Sequence, residues 1–193
     1  MTAEATGPAI WAPDPARQRM KAYTVEDVLR LPEDAPRTEI WDGVLAVVPS
    51  PSGGHQKINL RLASWLERHA PDDLEALMAI GVIINHRKTL EPDVALLRKP
   101  VDFDHHYYEA SQVVLAVEIV SPSTRRRDRM EKPGLYAGAG IPHFWRVEQN
   151  PLRIFAYDLV GGAYQAADDA AANAELVLTA PFEMKLPVRE ITP

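Results

Sequence analysis

Residues 111–148 read SQVVLAVEIVSPSTRRRDRMEKPGLYAGAGIPHFWRVE, and the order of elements in this stretch decides the fold. Val113–Val120 is β-branched, almost wholly apolar and bounded by turn residues, the pattern of a strand at the centre of a sheet. Ser121-Pro122-Ser123-Thr124 must end it. A helix is then expected from about Asp128 to Ala139, stopped by Gly140, with HFWRVE as the next strand. Strand, helix, strand with connections this short calls for a sheet with a helix on its face.

Outward from this unit the same alternation continues. Upstream, VEDVLRL follows Thr24 and Asp27, an N-cap with an acid in the first turn, and stops at Pro32. TEIWDGVLAVV gives two β-prone runs joined by Asp42-Gly43, a hairpin signal. From His55 to His69, Ile58, Leu62, Trp65 and Leu66 share one helical face. LEALMAIGVIINH reads as one buried strand, and EPDVALLR as the next. Downstream, LRIFAYDL is a strand, YQAAD and ELVLT are weaker ones, and DDAAANA reads as a loop. The methionines and Trp145 read as core. The expectation is an α/β (α+β) fold, a mixed β-sheet flanked by helices. Residues 23–193 form one domain, preceded by a flexible N-terminal arm over 1–22.

Composition limits the function classes. At 193 residues, 46% hydrophobic and 25% charged, the chain has the makeup of one soluble globular domain. It has no cysteine, so zinc-thiolate sites, disulfides and thiol nucleophiles are excluded. No apolar run is long enough to span a bilayer, and the N-terminus lacks signal-peptide character, which makes the cytoplasm the expected location. The net charge of −6 works against general polyanion binding. Arg125, Arg126, Arg127, Arg129 and Lys132 nonetheless form one local basic cluster. No phosphate-cradling glycine motif, serine-hydrolase elbow or HExxH occurs.

Acids placed in strands that want to be buried carry the chemistry. Asp93 follows Pro92 at the start of VALL, and Glu118 interrupts VVLAV-E-IV. A carboxylate there must be paired, protonated or bound to a cation. At a separation of about 4 Å, two such charges repel by roughly 4 kcal/mol at an effective dielectric near 20, a term that a divalent cation reverses. The plainer alternative pairs Glu118 with a following arginine. Lys132 lies four residues from both Asp128 and Tyr136 and can reach the carboxylates if the helix packs over the strand ends; otherwise it forms an exposed pair with Asp128. Glu39, at the mouth of the hairpin, is a possible third acid or an ordinary edge-strand charge. His55, at a helix start, could touch an anion or act as a simple cap. His105-His106 fits surface or dimer contact better than a metal site.

With Glu39, Pro92-Asp93, Glu118 and Lys132 in this order, the chain resembles the Uma-type family of putative restriction endonucleases, within the PD-(D/E)XK nuclease superfamily. TEIWDGVL, PSGGHQKI, EPDVALL and the long stretch from LAVEIVSPST to HFWRVE carry the likeness, over roughly residues 23 to 190. The resemblance implies a restriction-endonuclease-like fold with a four-stranded mixed core sheet. It implies a metal-dependent endonuclease, a hydrolase acting on the phosphodiester bonds of DNA, with Mg²⁺ as cofactor and Mn²⁺ as a substitute. Asp93, Glu118 and the Ile119 carbonyl would hold the metal, Glu39 would match the first-motif acid, and Arg125, Arg126, Arg127, Arg129 and His55 would face the nucleic acid. The lysine expected two residues after Glu118 is Val120 here, so Lys132 would supply the amine. A homodimer is expected, since cutting both strands takes two sites. The alternative is a non-catalytic nucleic-acid-binding or regulatory module on a nuclease fold.

Overall fold

The computed structural model describes residues 13–32 and 35–193. Four α-helices are described: α1 (Pro15–Met20), α2 (Val25–Val28), α3 (Gly53–His69) and α4 (Lys132–Gly138). The strands are β1 (Thr38–Trp41), β2 (Val44–Val47), β3 (Leu74–Met78), β4 (Gly81–Asn85), β5 (Lys88–Leu90), β6 (Val94–Arg98), β7 (Tyr107–Glu109), β8 (Val113–Ile119), β9 (His143–Gln149), β10 (Leu152–Val160), β11 (Ala163–Ala171), β12 (Glu175–Leu178) and β13 (Met184–Pro187). They form a six-stranded sheet in the order β11-β10-β9-β8-β6-β3, a five-stranded sheet in the order β2-β1-β5-β4-β7, and the ribbon β12-β13. Both larger sheets are mixed: β8 runs parallel to β9 and β4 parallel to β7, while the other pairs are antiparallel.

The apolar strand at 113–119 is central, as its composition demands, and every residue of it is buried. Its two faces serve two cores. Leu115, Val117 and Ile119 pack with Ile58, Leu62 and Leu66 of α3, whose apolar stripe is the one read from the sequence. Val113 and Ala116 pack with Tyr136 and Phe144 under the second sheet. Glu118 projects to the second side, opposite Val117 and Ile119.

Several local expectations are met with physical detail. Asp42 and Gly43 take φ values of 50° and 86°, the positive values that a tight two-residue hairpin requires. Asp27 accepts a hydrogen bond from the Thr24 amide at 3.0 Å, so α2 starts where expected, although it ends at Val28, short of Pro32. Pro133 sits in the first turn of α4, where its missing N–H leaves no unpaired donor. Gly140, with φ 79°, follows the helix.

Other expectations need correction. LEALMAIGVIINH is two strands: Ala79 takes a positive φ of 56°, and β3 and β4 part into different sheets. β5, β7 and β13 were not read from the sequence at all. DDAA is part of β11, held along the whole length of β10, and is no loop. The core sheet has six strands where the resemblance implies four. Met20, Met78 and Met130 are exposed, whereas Met184 and Trp145 are core. Of the expected arm, residues 1–12 lie outside the described residues, and the remainder holds α1, capped by Asp14.

Gly81 shows how closely β4 and β7 approach. A Cβ at this position would fall on the ring of Tyr107, its partner in the parallel register. Gly81→Ala is therefore expected to destabilise the fold by about 1–3 kcal/mol, through overpacking, in chemical denaturation.

Candidate active site

The site grows out of strand register. β6 and β8 pair antiparallel with Val94 opposite Val117, so one residue further on Asp93 stands across from Glu118. The Asp93 amide donates to the Val117 carbonyl at 2.9 Å, and the Ile119 amide donates to Asp93 Oδ2 at 2.7 Å. The backbone thus fixes one carboxylate beside the other. β1 brings Glu39 from the second sheet. Glu39 accepts from the Glu91 amide at 3.1 Å and from the Trp41 indole at 2.9 Å.

The chain after β8 closes the site. Residues Arg127–Glu131 form a π-helical turn that runs directly into α4, and such widened turns recur at functional sites. This turn and the start of α4 carry Asp128 and Lys132 to the acids. The Lys132 ammonium lies 2.9 Å from each Glu118 oxygen, 3.1 Å from Glu39 Oε1 and 3.7 Å from Asp128 Oδ1. It is only 4% exposed. It donates hydrogen bonds to both Glu118 oxygens and forms an ion pair with Glu39. Tyr136, one turn along, donates its hydroxyl to Glu118 Oε1 at 2.6 Å.

More carboxyls than cations are buried here, and the titration reflects that. Burial lifts Glu118 well above the ordinary carboxyl range, against the pull of Lys132. Burial also pushes Asp128 up to about 6, with Lys132 again opposing. For Lys132, burial favours loss of the proton, but Glu118, Glu39 and Asp128 outweigh it, and the ammonium is held charged. A cavity of about 330 Å³ opens onto this cluster, lined by Asp93, Glu118, Asp128, Lys132, His55 and Ile119 among others.

The sequence-predicted residues divide into two groups. Asp93, Glu118, Ile119, Lys132 and Glu39 come together, and the bland readings of Glu39 as an edge charge and of Lys132 as an exposed partner of Asp128 are replaced by burial. His55 is not the cap of α3. Ser52 caps α3, and His55 Nε2 meets Asp93 Oδ1 at 2.8 Å, with Nδ1 buried and unpaired. The arginines are all exposed. Arg129 forms a two-pronged pair with Glu148, Arg126 pairs with Glu131, and Arg127 lies over the Trp41 ring. His105 pairs loosely with Asp102 at the surface. Glu91 was missed. It is buried against Arg37 at 2.6 Å, and its position in Glu91-Pro92-Asp93 was the available signal.

The family model described as Putative restriction endonuclease, Uma2, matches residues 25–189. The chain belongs to the Uma2 family. Its nuclease-like character follows at that level, and nucleic acid is the implied substrate class. The chain is also similar to the crystal structure of a putative nuclease belonging to DUF820 from Anabaena variabilis, at 15% identity and a TM-score of 0.65. That match covers 88% of this chain and 97% of the other. This likeness establishes a shared fold. No curated protein matches the chain. No helix among the described residues is long and apolar enough to cross a membrane.

The titration of Asp128 gives a test. Its folded pKa lies above its ordinary value of 3.8, so the folded state holds the proton more tightly. The burden of a buried charge is absent below about pH 4 and fully present above about pH 6. Asp128→Asn removes it. The stability gain of the variant over wild type is expected to grow from pH 4 to pH 6 and then level, reaching on the order of 1–3 kcal/mol, in thermal melts across that range.

Proposed function

We propose that this Uma2 member is a Mg²⁺-dependent endonuclease that hydrolyses phosphodiester bonds of DNA. The observation that carries the reading is the pairing of Asp93 with Glu118 on adjacent strands, at the wall of a cavity shared with a buried lysine. Among the described residues no group of three or more His, Asp or Glu is spaced to hold a metal ion alone. The donor set nonetheless fits Mg²⁺, which is commonly bound by one or two carboxylates together with waters and substrate phosphate. The cluster also carries an excess of buried acid, with Asp128 Oδ1 lacking any hydrogen-bond partner.

Asp93, Glu118 and the Ile119 carbonyl would hold the ion. When bound, it would supply Lewis acidity to the phosphate and an acidified water. The chain's own residues do the rest. His55 and the Ile119 amide fix the Asp93 carboxylate. Tyr136 and Lys132 fix Glu118, and Glu39 anchors Lys132 from the other sheet. Lys132 contributes a fixed positive charge in the cavity wall, where a phosphate gains negative charge as it reacts. Arg125, Arg126, Arg127 and Arg129, all exposed, would offer the strand a positive surface, against the net charge of −6. Cleavage of both strands calls for a homodimer. The protein is assigned to the cytoplasm, and Mn²⁺ is the natural substitute ion.

A second reading has one observation in its favour: both oxygens of Asp93, and both of Glu118, are already engaged by protein donors. A nucleic-acid-binding module that no longer cuts would look the same. Wild-type protein and Glu118→Ala should be compared by Mn²⁺ calorimetry and by plasmid cleavage. Glu118→Ala is expected to remain folded, because Lys132 keeps Glu39 and Asp128, while metal binding and cleavage fall by about 100-fold or more. Binding of DNA by wild type with no metal-dependent turnover would establish the second reading instead.

A further inference from the structure

Each carboxyl on the cavity wall can be asked what holds its oxygens. Asp93 is held by His55 and the Ile119 amide. Glu118 is held by Lys132 and Tyr136. Glu91 is held by Arg37. Asp128 differs. It is 1% exposed, yet its Oδ1 has no hydrogen-bond partner, and the nearest cation, Lys132, stands at 3.7 Å. Lys132 directs its hydrogen bonds to Glu118, pairs with Glu39 at 3.1 Å and makes no hydrogen bond to Asp128.

A buried carboxylate oxygen without a donor is destabilising. A hydrophobic side chain on the π-helical turn would avoid that loss. Asp128 lines the same cavity as Asp93 and Glu118, so a donor entering that cavity can meet its carboxyl group. Lys132 is the group that resemblance would assign to a water, but its hydrogen bonds go to Glu118.

We propose that Asp128 is a catalytic residue of this site, accepting a hydrogen bond from the attacking water and taking its proton. This inference rests on the phosphodiesterase reading above. The water oxygen forms a bond to phosphorus as its proton passes to the Asp128 carboxylate. The bond from phosphorus to the leaving ester oxygen breaks, its electron pair stays on that oxygen, and bulk water supplies the proton that neutralises it. Nothing is oxidised or reduced. Lys132 and Tyr136 remain positioning residues that hold Glu118.

The test uses the full chain, as wild type and Asp128→Asn, with supercoiled plasmid and Mg²⁺ or Mn²⁺ under single-turnover conditions. Mn²⁺ calorimetry and thermal melts of the metal-free proteins accompany it. Asp128→Asn is expected to lower the single-turnover rate by about 100-fold or more, to bind Mn²⁺ as wild type does, and to melt at the same or a higher temperature at neutral pH. The inference is overturned if the variant cleaves at a rate close to wild type. It is equally overturned if the metal-free variant melts well below wild type, because Asp128 is then a structural group. Wild type that binds Mn²⁺ and cleaves nothing overturns the phosphodiesterase reading and this inference with it. An active wild type with an active variant removes this inference alone.

Discussion

A buried ammonium among three carboxyl groups is the interaction on which the rest of this structure depends. Lys132 touches Glu118 from the six-stranded sheet, Glu39 from the five-stranded sheet and Asp128 from the π-helical turn. Remove the cation and two sheets and a helix would meet through uncompensated negative charge. Remove the acids and a charged lysine would be sealed in an apolar surround. Such groups are tolerated only together, and breaking a buried pair typically costs about 3–5 kcal/mol. Residues that carry this burden inside a core are seldom retained for stability, since apolar replacements commonly do as well. That asymmetry turns a set of contacts into an argument for chemistry.

The surrounding fold serves to hold this cluster at one end of a central strand pair. β8 is buried on both faces, so its register against β6 is strongly constrained, and that register sets Asp93 across from Glu118. The short path from β8 through the π-turn and α4 to β9 returns the chain to a parallel neighbour and lays Lys132 and Tyr136 over the acids. The chain belongs to the Uma2 family and shares its overall fold with the Anabaena variabilis structure.

The sequence made some of this legible for clear physical reasons. Glu118 stands out because an acid in an otherwise apolar, β-branched run has no cheap environment. Asp42-Gly43 stands out because few residue pairs accept two positive φ values. Lys132 and Tyr136 were visible through helical spacing. Other features were hidden. Ala79 gives no sign that it bends the chain, because alanine rarely takes a positive φ, so β3 and β4 looked continuous. The alanine- and aspartate-rich β11 has little strand propensity and is held by pairing along β10. His55 looked like a cap because its partner, Asp93, lies 38 residues away. The arginines looked like one patch, but each local partner comes from the fold: Glu148 from β9, Glu131 from the π-turn, Trp41 from β1.

The most direct measurement is the denaturant stability of Lys132→Met, alone and combined with Glu118→Gln, at neutral pH. The account predicts a loss of about 3–5 kcal/mol for the single variant, partly recovered in the double variant as the orphaned charge is removed. A loss no larger than that of a surface lysine, with no recovery in the double variant, would contradict it.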